Sequence, residues 1–164
     1  MNEIYAEAGV KKEKSASVVT IRLIMLFIVV ITIALSFINT IALMVAVIFI
    51  ALTIYFYPKL NVEYEYIYCD GQLDFDKIMG NSRRKTIVRI DFEQVDIMAP
   101  EGSHALDNYN NVKTVKDFSS GRKDAKRYVI IAKGEADKIK IIFEPNTNMI
   151  NCIKTKNHRK VNEY

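Results

Sequence analysis

Thirty-six consecutive residues, Leu23 to Pro58, contain no Asp, Glu, Lys or Arg, and all 23 basic and 19 acidic side chains lie outside them. As one continuous helix this run would be about 54 Å long, against a hydrocarbon core of roughly 30 Å. Two arms of ~18 residues match that thickness if the chain reverses near the middle. The run Ser36-Phe37-Ile38-Asn39-Thr40 supplies side chains that can bond the backbone groups freed at such a turn. The spacing therefore predicts a helical hairpin with arms from about Val18 to Leu35 and from about Ile41 to Tyr57. Arg22, one turn inside the first arm, is read as an interfacial anchor. Tyr55 and Tyr57 suit the aromatic belt, and Pro58 with Lys59 stops the second arm. Thr20, Thr32 and Thr53 can return their hydroxyls to the preceding turn, so the arms read as an anchor without an ion or proton path.

Orientation follows from the cations. Lys11, Lys12, Lys14 and Arg22 flank the first arm, Lys59 flanks the second, and the turn between is uncharged, which predicts a multi-pass cell-membrane protein with both termini cytoplasmic. A cleaved signal fits poorly, because the apolar stretch far exceeds a signal core and no small-residue cleavage site follows it. A single long tilted span that exports the rest of the chain is the rival arrangement. Cys69 and Cys152 make neither a disulfide framework nor a metal knuckle.

Residues 58–164 have the length for one small core, with 19 basic and 16 acidic side chains. Val62 to Tyr68 alternates, with Val62, Tyr64, Tyr66 and Tyr68 on one face. Asp70-Gly71 is a two-residue hairpin signal, and Gln72 to Asp76 returns. A turn at Met79 to Ser82 leads to Arg84 to Ile90, and Phe92, Val95 and Ile97 suggest a short strand ending near Pro100. Val112 to Phe118, Tyr128 to Ala132 and Asp137 to Glu144 complete about seven strands. Asn146 then starts a helix that runs to about Lys156. Residues 1–17 read as a cytoplasmic tail, with Ile4, Ala8 and Lys11 at helical spacing.

The strings Val62-Glu63-Tyr64-Glu65-Tyr66, Asp70-Gly71-Gln72-Leu73-Asp74, Met98 to His104, Asp117 to Gly121 and Phe143-Glu144-Pro145-Asn146 resemble a family of small bacterial membrane proteins. In these, a pleckstrin-homology-like (PH-like) domain follows a two-helix hairpin. The resemblance covers nearly the whole chain and implies an α+β membrane protein. It would have a transmembrane hairpin over 18–57 and a mostly antiparallel half-open barrel over 58–164, capped by the C-terminal helix. It implies a fold and no activity. On this alignment the loop between the first two strands is the acidic Asp70-Gly71, which speaks against inositol-phosphate binding there.

Two groups of cations, Arg83-Arg84-Lys85 and Arg122, Lys123, Lys126 and Arg127, flank strands and could meet anionic headgroups or a protein partner; the rival is a solvated loop with acidic neighbours. The polar segment 99–111, with Glu101, His104, Asp107 and Tyr109, could receive a partner or cap the barrel. A hydrolase would need His104 with Ser119 or Ser120 and Asp117 or Asp107 behind it, but no nucleophile elbow is present. No cofactor, metal site or nucleic-acid partner is expected from two scattered His, two Cys and a modest charge. The reading is thus a non-enzymatic interaction or scaffolding module at the inner membrane surface.

Overall fold

The computed structural model describes residues 4–80, 83–134 and 137–162. The chain divides into two compact units: Met1–Lys12, Glu63–Ile78 and Arg84–Tyr164 form the first, Glu13–Val62 with Met79–Arg83 the second.

The first unit is two four-stranded sheets and a helix. Strands β1 (Tyr5–Lys11), β2 (Val62–Cys69), β3 (Gln72–Met79) and β4 (Arg83–Asp91) form one sheet in that order. Strands β5 (Val95–Pro100), β6 (Thr114–Asp117), β7 (Tyr128–Lys133) and β8 (Lys138–Phe143) form the other in the order β5-β7-β8-β6. There β6 runs parallel to β8, and β7 is antiparallel to both its neighbours. Between β2 and β3, Asp70 and Gly71 both take positive φ, 47° and 102°, the backbone that a tight hairpin between twisted strands requires. The alternation read in β2 is real: Tyr64, Tyr66 and Tyr68 are buried. Leu73 and Phe75 of β3, Ile130 of β7, and Ile141 and Phe143 of β8 are buried too; Tyr66 meets Phe75 and Phe143 edge-on at 5.7 and 5.4 Å, and Phe75 stacks on Phe118 at 5.0 Å and meets Phe143 edge-on at 5.4 Å. Offset and edge-on ring pairs of this kind add about 0.5–1.5 kcal/mol each beyond burial.

Helix α1 (Ala16–Ser36) and helix α2 (Thr40–Phe56) belong to the second unit; α3 (Thr147–Asn157) closes the first. Asn146 caps α3 by accepting from the Met149 N–H at 2.8 Å, and Met149 and Ile153 bury its inner face.

The expected tail over 1–17 is corrected. Residues 5–11 are a strand, paired antiparallel with β2 from Tyr5↔Cys69 to Lys11↔Glu63. Its burial alternates, with Ala6 only 2% exposed opposite Tyr68. The outer edge of β1 is covered by α3: Asn146 Nδ2 donates to the Glu7 carbonyl at 3.0 Å, and Cys152 Sγ lies 3.8 Å from the Tyr5 carbonyl. The inward residues are Ala6, Ala8 and Val10, whose small side chains give a weak apolar signal. The described residues therefore hold eight strands, not seven, and the two apolar helices lie in the connection between β1 and β2. The domain does not simply follow the hairpin. Asp70-Gly71 accordingly joins the second and third strands, not the first two.

In the second unit the turn falls where the polar residues predict it. Asn39 accepts from the Ile41 N–H at 2.9 Å and caps α2. Thr20, Thr32 and Thr53 return their hydroxyls to the carbonyls of Ala16, Ile28 and Phe49. The 21 residues of α1 rise about 31 Å. α2 continues through a 3₁₀ turn, Pro58–Leu60, and both helices are long and apolar enough to cross a membrane. Apolar side chains are exposed all round them, Leu23, Phe27, Val30, Met44 and Ile54 among them. Arg22 does more than reach toward an interface. It is 8% exposed, Nη2 donates to Asn61 Oδ1 at 2.6 Å, and the guanidinium lies 4.8 Å above the Tyr57 ring, joining the start of α1 to the end of α2.

Candidate functional site

The seven cations singled out in the sequence separate into tied and free ones. Arg84 of β4 is tied to Glu65 of β2 and, at 3.5 Å, to the buried Asp76 of β3. Arg127 is tied to Glu101 at 2.7 Å. Lys85, Arg122, Lys123 and Lys126 are exposed and have no acidic partner among the described residues. Arg83 faces the end of α2 within the second unit. The expected Arg83-Arg84-Lys85 cluster is therefore not one surface, because successive residues of a strand point to opposite faces. Ser82 and Asn81 of the preceding turn lie outside the described residues.

The segment after β5 is a cap. A 3₁₀ turn, His104–Tyr109, starts behind Ser103, whose hydroxyl accepts from the Ala105 N–H. It buries Leu106 against Ala99, Val129 and Ile131 on the face of the second sheet that points away from Ile130 and Ile141. Tyr109 packs at the edge of this cluster with Lys138 Nζ 4.9 Å from its ring centre, and Lys138 pairs with Asp96 at 2.6 Å, a contact that raises its pKa above the ordinary lysine value. The polar residues of the loop are thus the outer side of an apolar lid.

The catalytic constellation written from the sequence is not assembled. The His104 side chain is fully exposed, with Nδ1 3.3 Å from Asp107 Oδ2. Ser119 and Ser120 are buried, and Ser120 donates both its N–H and its Oγ–H to Glu144 Oε1, at 2.6 and 2.7 Å. The Asp117 carboxylate accepts from the Ser119 N–H at 2.8 Å and so belongs to the turn. Tyr66 bonds the Phe118 carbonyl at 2.5 Å, and burial pushes its phenol well above the ordinary tyrosine value. What looked like a candidate nucleophile turn is a structural knot on a buried carboxylate. Sequence reasoning missed Glu144, because its role depends on a contact 24 residues away.

Sequence reading also missed a pocket of about 450 Å³ in the second unit, between α2 and the turn that follows β3. Its walls are Ala51, Ile54 and Tyr55 on one side and Met79, Gly80 and Arg83 on the other, with Pro58 and Lys59 between. Lys59 Nζ lies 3.2 Å from the Tyr55 ring centre and 5.3 Å from that of Phe56. The Gly80 N–H donates to the Asn61 carbonyl at 3.2 Å, which seats the turn. Both cysteines are free thiols, and no group of His, Cys, Asp and Glu among the described residues is disposed to hold a metal.

No curated protein and no solved structure matches the chain. The model of one family, described as a bacterial PH-like domain (DUF6106), matches residues 2–163. Two four-stranded sheets, a closing C-terminal helix and a match over almost the entire length agree with one another, and the chain belongs to the bacterial PH-like domain family DUF6106.

Proposed function

We propose that this protein is a membrane-anchored interaction module. In this reading α1 and α2 cross the inner membrane as a hairpin, and the β-domain stands on the cytoplasmic face, where it recruits a protein partner or anionic headgroups without catalysing a reaction. The observation that carries the reading is the pairing of β1 with β2. These strands precede and follow the two apolar helices, yet Tyr5–Lys11 and Glu63–Cys69 share one antiparallel ladder. A chain that enters the bilayer from β1 must return to the same side to form β2, which two spans allow and a single span forbids. The helices' apolar surface on every side supports lipid as their solvent. Lys11, Lys12, Lys14 and Lys59 at the open end and the uncharged turn support a cytoplasmic placement.

The recruiting role is supported by what the domain leaves free. Arg122, Lys123 and Lys126 form an exposed basic loop, and Lys85 is a further exposed cation without an acidic partner among the described residues. His104 and Asp107 face outward from the lid. The test is in-cell photocrosslinking from positions 104 and 123 of the full chain. A defined protein adduct, or a lipid adduct abolished by changing Arg122, Lys123 and Lys126 to Gln, is expected. Recovery of neither, with the protein at native abundance in the membrane fraction, would overturn the recruiting role.

A further inference from the structure

We infer that the pocket between the end of α2 and the turn after β3 holds an anionic phospholipid, with the phosphate between Lys59 and Arg83 and the upper acyl chain along Ala51 and Ile54. The inference rests on the membrane insertion proposed above and adds to it a site, a ligand class and two named cations.

Three observations carry it. First, the pocket grades from apolar to basic along the helix axis. Ile54, 70% exposed, continues the lipid-facing surface of α2, while Lys59 lies about 12 Å further along the helix than Ala51, a rise that spans the passage from acyl chain to headgroup. Second, the charge in it is uncompensated. Lys59 and Arg83 both line the pocket, no acidic residue does, and neither has an ion-pair partner among the described residues. The contrast is with Arg84, one residue on, whose charge is met by Glu65 and Asp76. Lys59 is held over the faces of Tyr55 and Phe56, which orient the ammonium without neutralising it. Third, the backbone at the pocket wall requires glycine. Gly80 has φ +62°, and a Cβ there would lie 3.3 Å from the backbone C and O of Pro58, so glycine lets the end of β3 lie close against the end of α2, in the pocket that Lys59 and Arg83 both line. An anionic phospholipid is the one occupant that satisfies both halves: a neutral lipid leaves two cations unmatched, and a free phosphate leaves the Ala51–Ile54 wall uncovered.

The test reconstitutes the full chain in nanodiscs of phosphatidylcholine containing a minor fraction of phosphatidylglycerol, each lipid supplied in turn with a photoreactive acyl chain. Adducts are mapped to peptides. Labelling of the Ala51–Lys59 and Met79–Arg83 peptides by phosphatidylglycerol in preference to phosphatidylcholine is expected. Lys59→Gln and Arg83→Gln should each reduce that preference about fivefold, and the pair together by more than tenfold, whereas the exposed Lys133→Gln leaves it unchanged. Gly80→Ala should lower it with both cations still present. Equal labelling by the two lipids, or a preference untouched by the double substitution, overturns the inference. Loss of labelling on adding inorganic phosphate at equal ionic strength, against a sulfate control, would assign the site to free phosphate and overturn the lipid as occupant. Flotation of the same samples keeps the two ideas apart. A chain that fails to float with the discs refutes the anchor, while one that floats without lipid preference refutes this site alone.

Discussion

Replacing Ala6 by Asp is the sharpest perturbation of the fold described above, because it discriminates a strand from a tail with one side chain. Ala6 is 2% exposed and sits opposite the fully buried Tyr68. A carboxylate there must either lose its water or take up a proton. Protonating an aspartate of ordinary pKa at pH 7 costs about 4 kcal/mol, and removing the charge from water unpaired costs no less. A β-domain of this size loses about 4–8 °C of Tm per kcal/mol, so Ala6→Asp should lower Tm by more than ~15 °C. The sign of the pH effect is fixed too. The penalty is a proton-uptake cost, so it shrinks as pH falls toward 4 and the variant recovers stability relative to the parent. The neighbouring exposed position is the control, since Glu7→Ala should stay within about 0.5 kcal/mol. With nine tyrosines, no tryptophan and Tyr64, Tyr66 and Tyr68 in the core, near-ultraviolet circular dichroism in detergent follows this domain directly. Equal melting of Ala6→Asp and the parent would refute β1 as part of the sheet.

Other consequences are as direct. Glu144→Ala leaves the buried Ser120 N–H and hydroxyl without their acceptor and should cost about 2–4 kcal/mol, while Glu144→Gln, which keeps an acceptor, should cost about half as much; equal loss from both in thermal melts would contradict the hydrogen-bond role. Burial raises the Tyr68 phenol to about 12, where it accepts from Asn157 Nδ2 at 2.9 Å, and it raises Tyr66 as well. A phenol that keeps its proton longer in the folded state stabilises fully below pH 10, and that stability is lost as pH rises from 10 through about 12, so denaturant midpoints should fall across this window. In a Tyr68→Phe variant the fall should be shallower. At the other end of the domain, Met98 exchanges backbone hydrogen bonds of 2.7 Å with Lys160 and Asn162, and Val161 is buried beside it. A chain ending at His158 should therefore show faster hydrogen exchange at Met98, and unchanged exchange there would mean that β5 does not depend on this bridge.

How much of this was legible in the sequence depends on the distance over which the signal acts. The hairpin was legible because the absence of charge over 36 residues is a local property, and Asn39 marks its turn without reference to anything else. The Tyr64-Tyr66-Tyr68 alternation, Asp70-Gly71 and the Asn146 cap are equally local. β1 was not legible: Ala6, Ala8 and Gly9 have little hydrophobicity to set a period, and their partner strand lies more than fifty residues along, beyond two helices. The helical spacing of Ile4, Ala8 and Lys11 was coincidence at that length. The basic cluster failed for a related reason. Neighbours in sequence on a strand diverge in space, so Arg84 turned to Glu65 and Asp76 while Arg83 turned to the end of α2. The polar loop showed its Asn and Asp, but the single Leu106 that makes it a lid becomes visible only once the outer face of the second sheet is known to need covering.

The central claim is that the chain leaves and re-enters the β-domain on one side of a bilayer crossed twice. It is tested most directly by labelling intact cells with a membrane-impermeant maleimide, in a background with Cys69 and Cys152 replaced by serine. Ile38→Cys, in the hairpin turn, should label from outside, while Lys14→Cys and Lys123→Cys should label only after lysis. Labelling of Lys123→Cys from outside, or of Lys14→Cys and Lys123→Cys from opposite sides, would contradict the account.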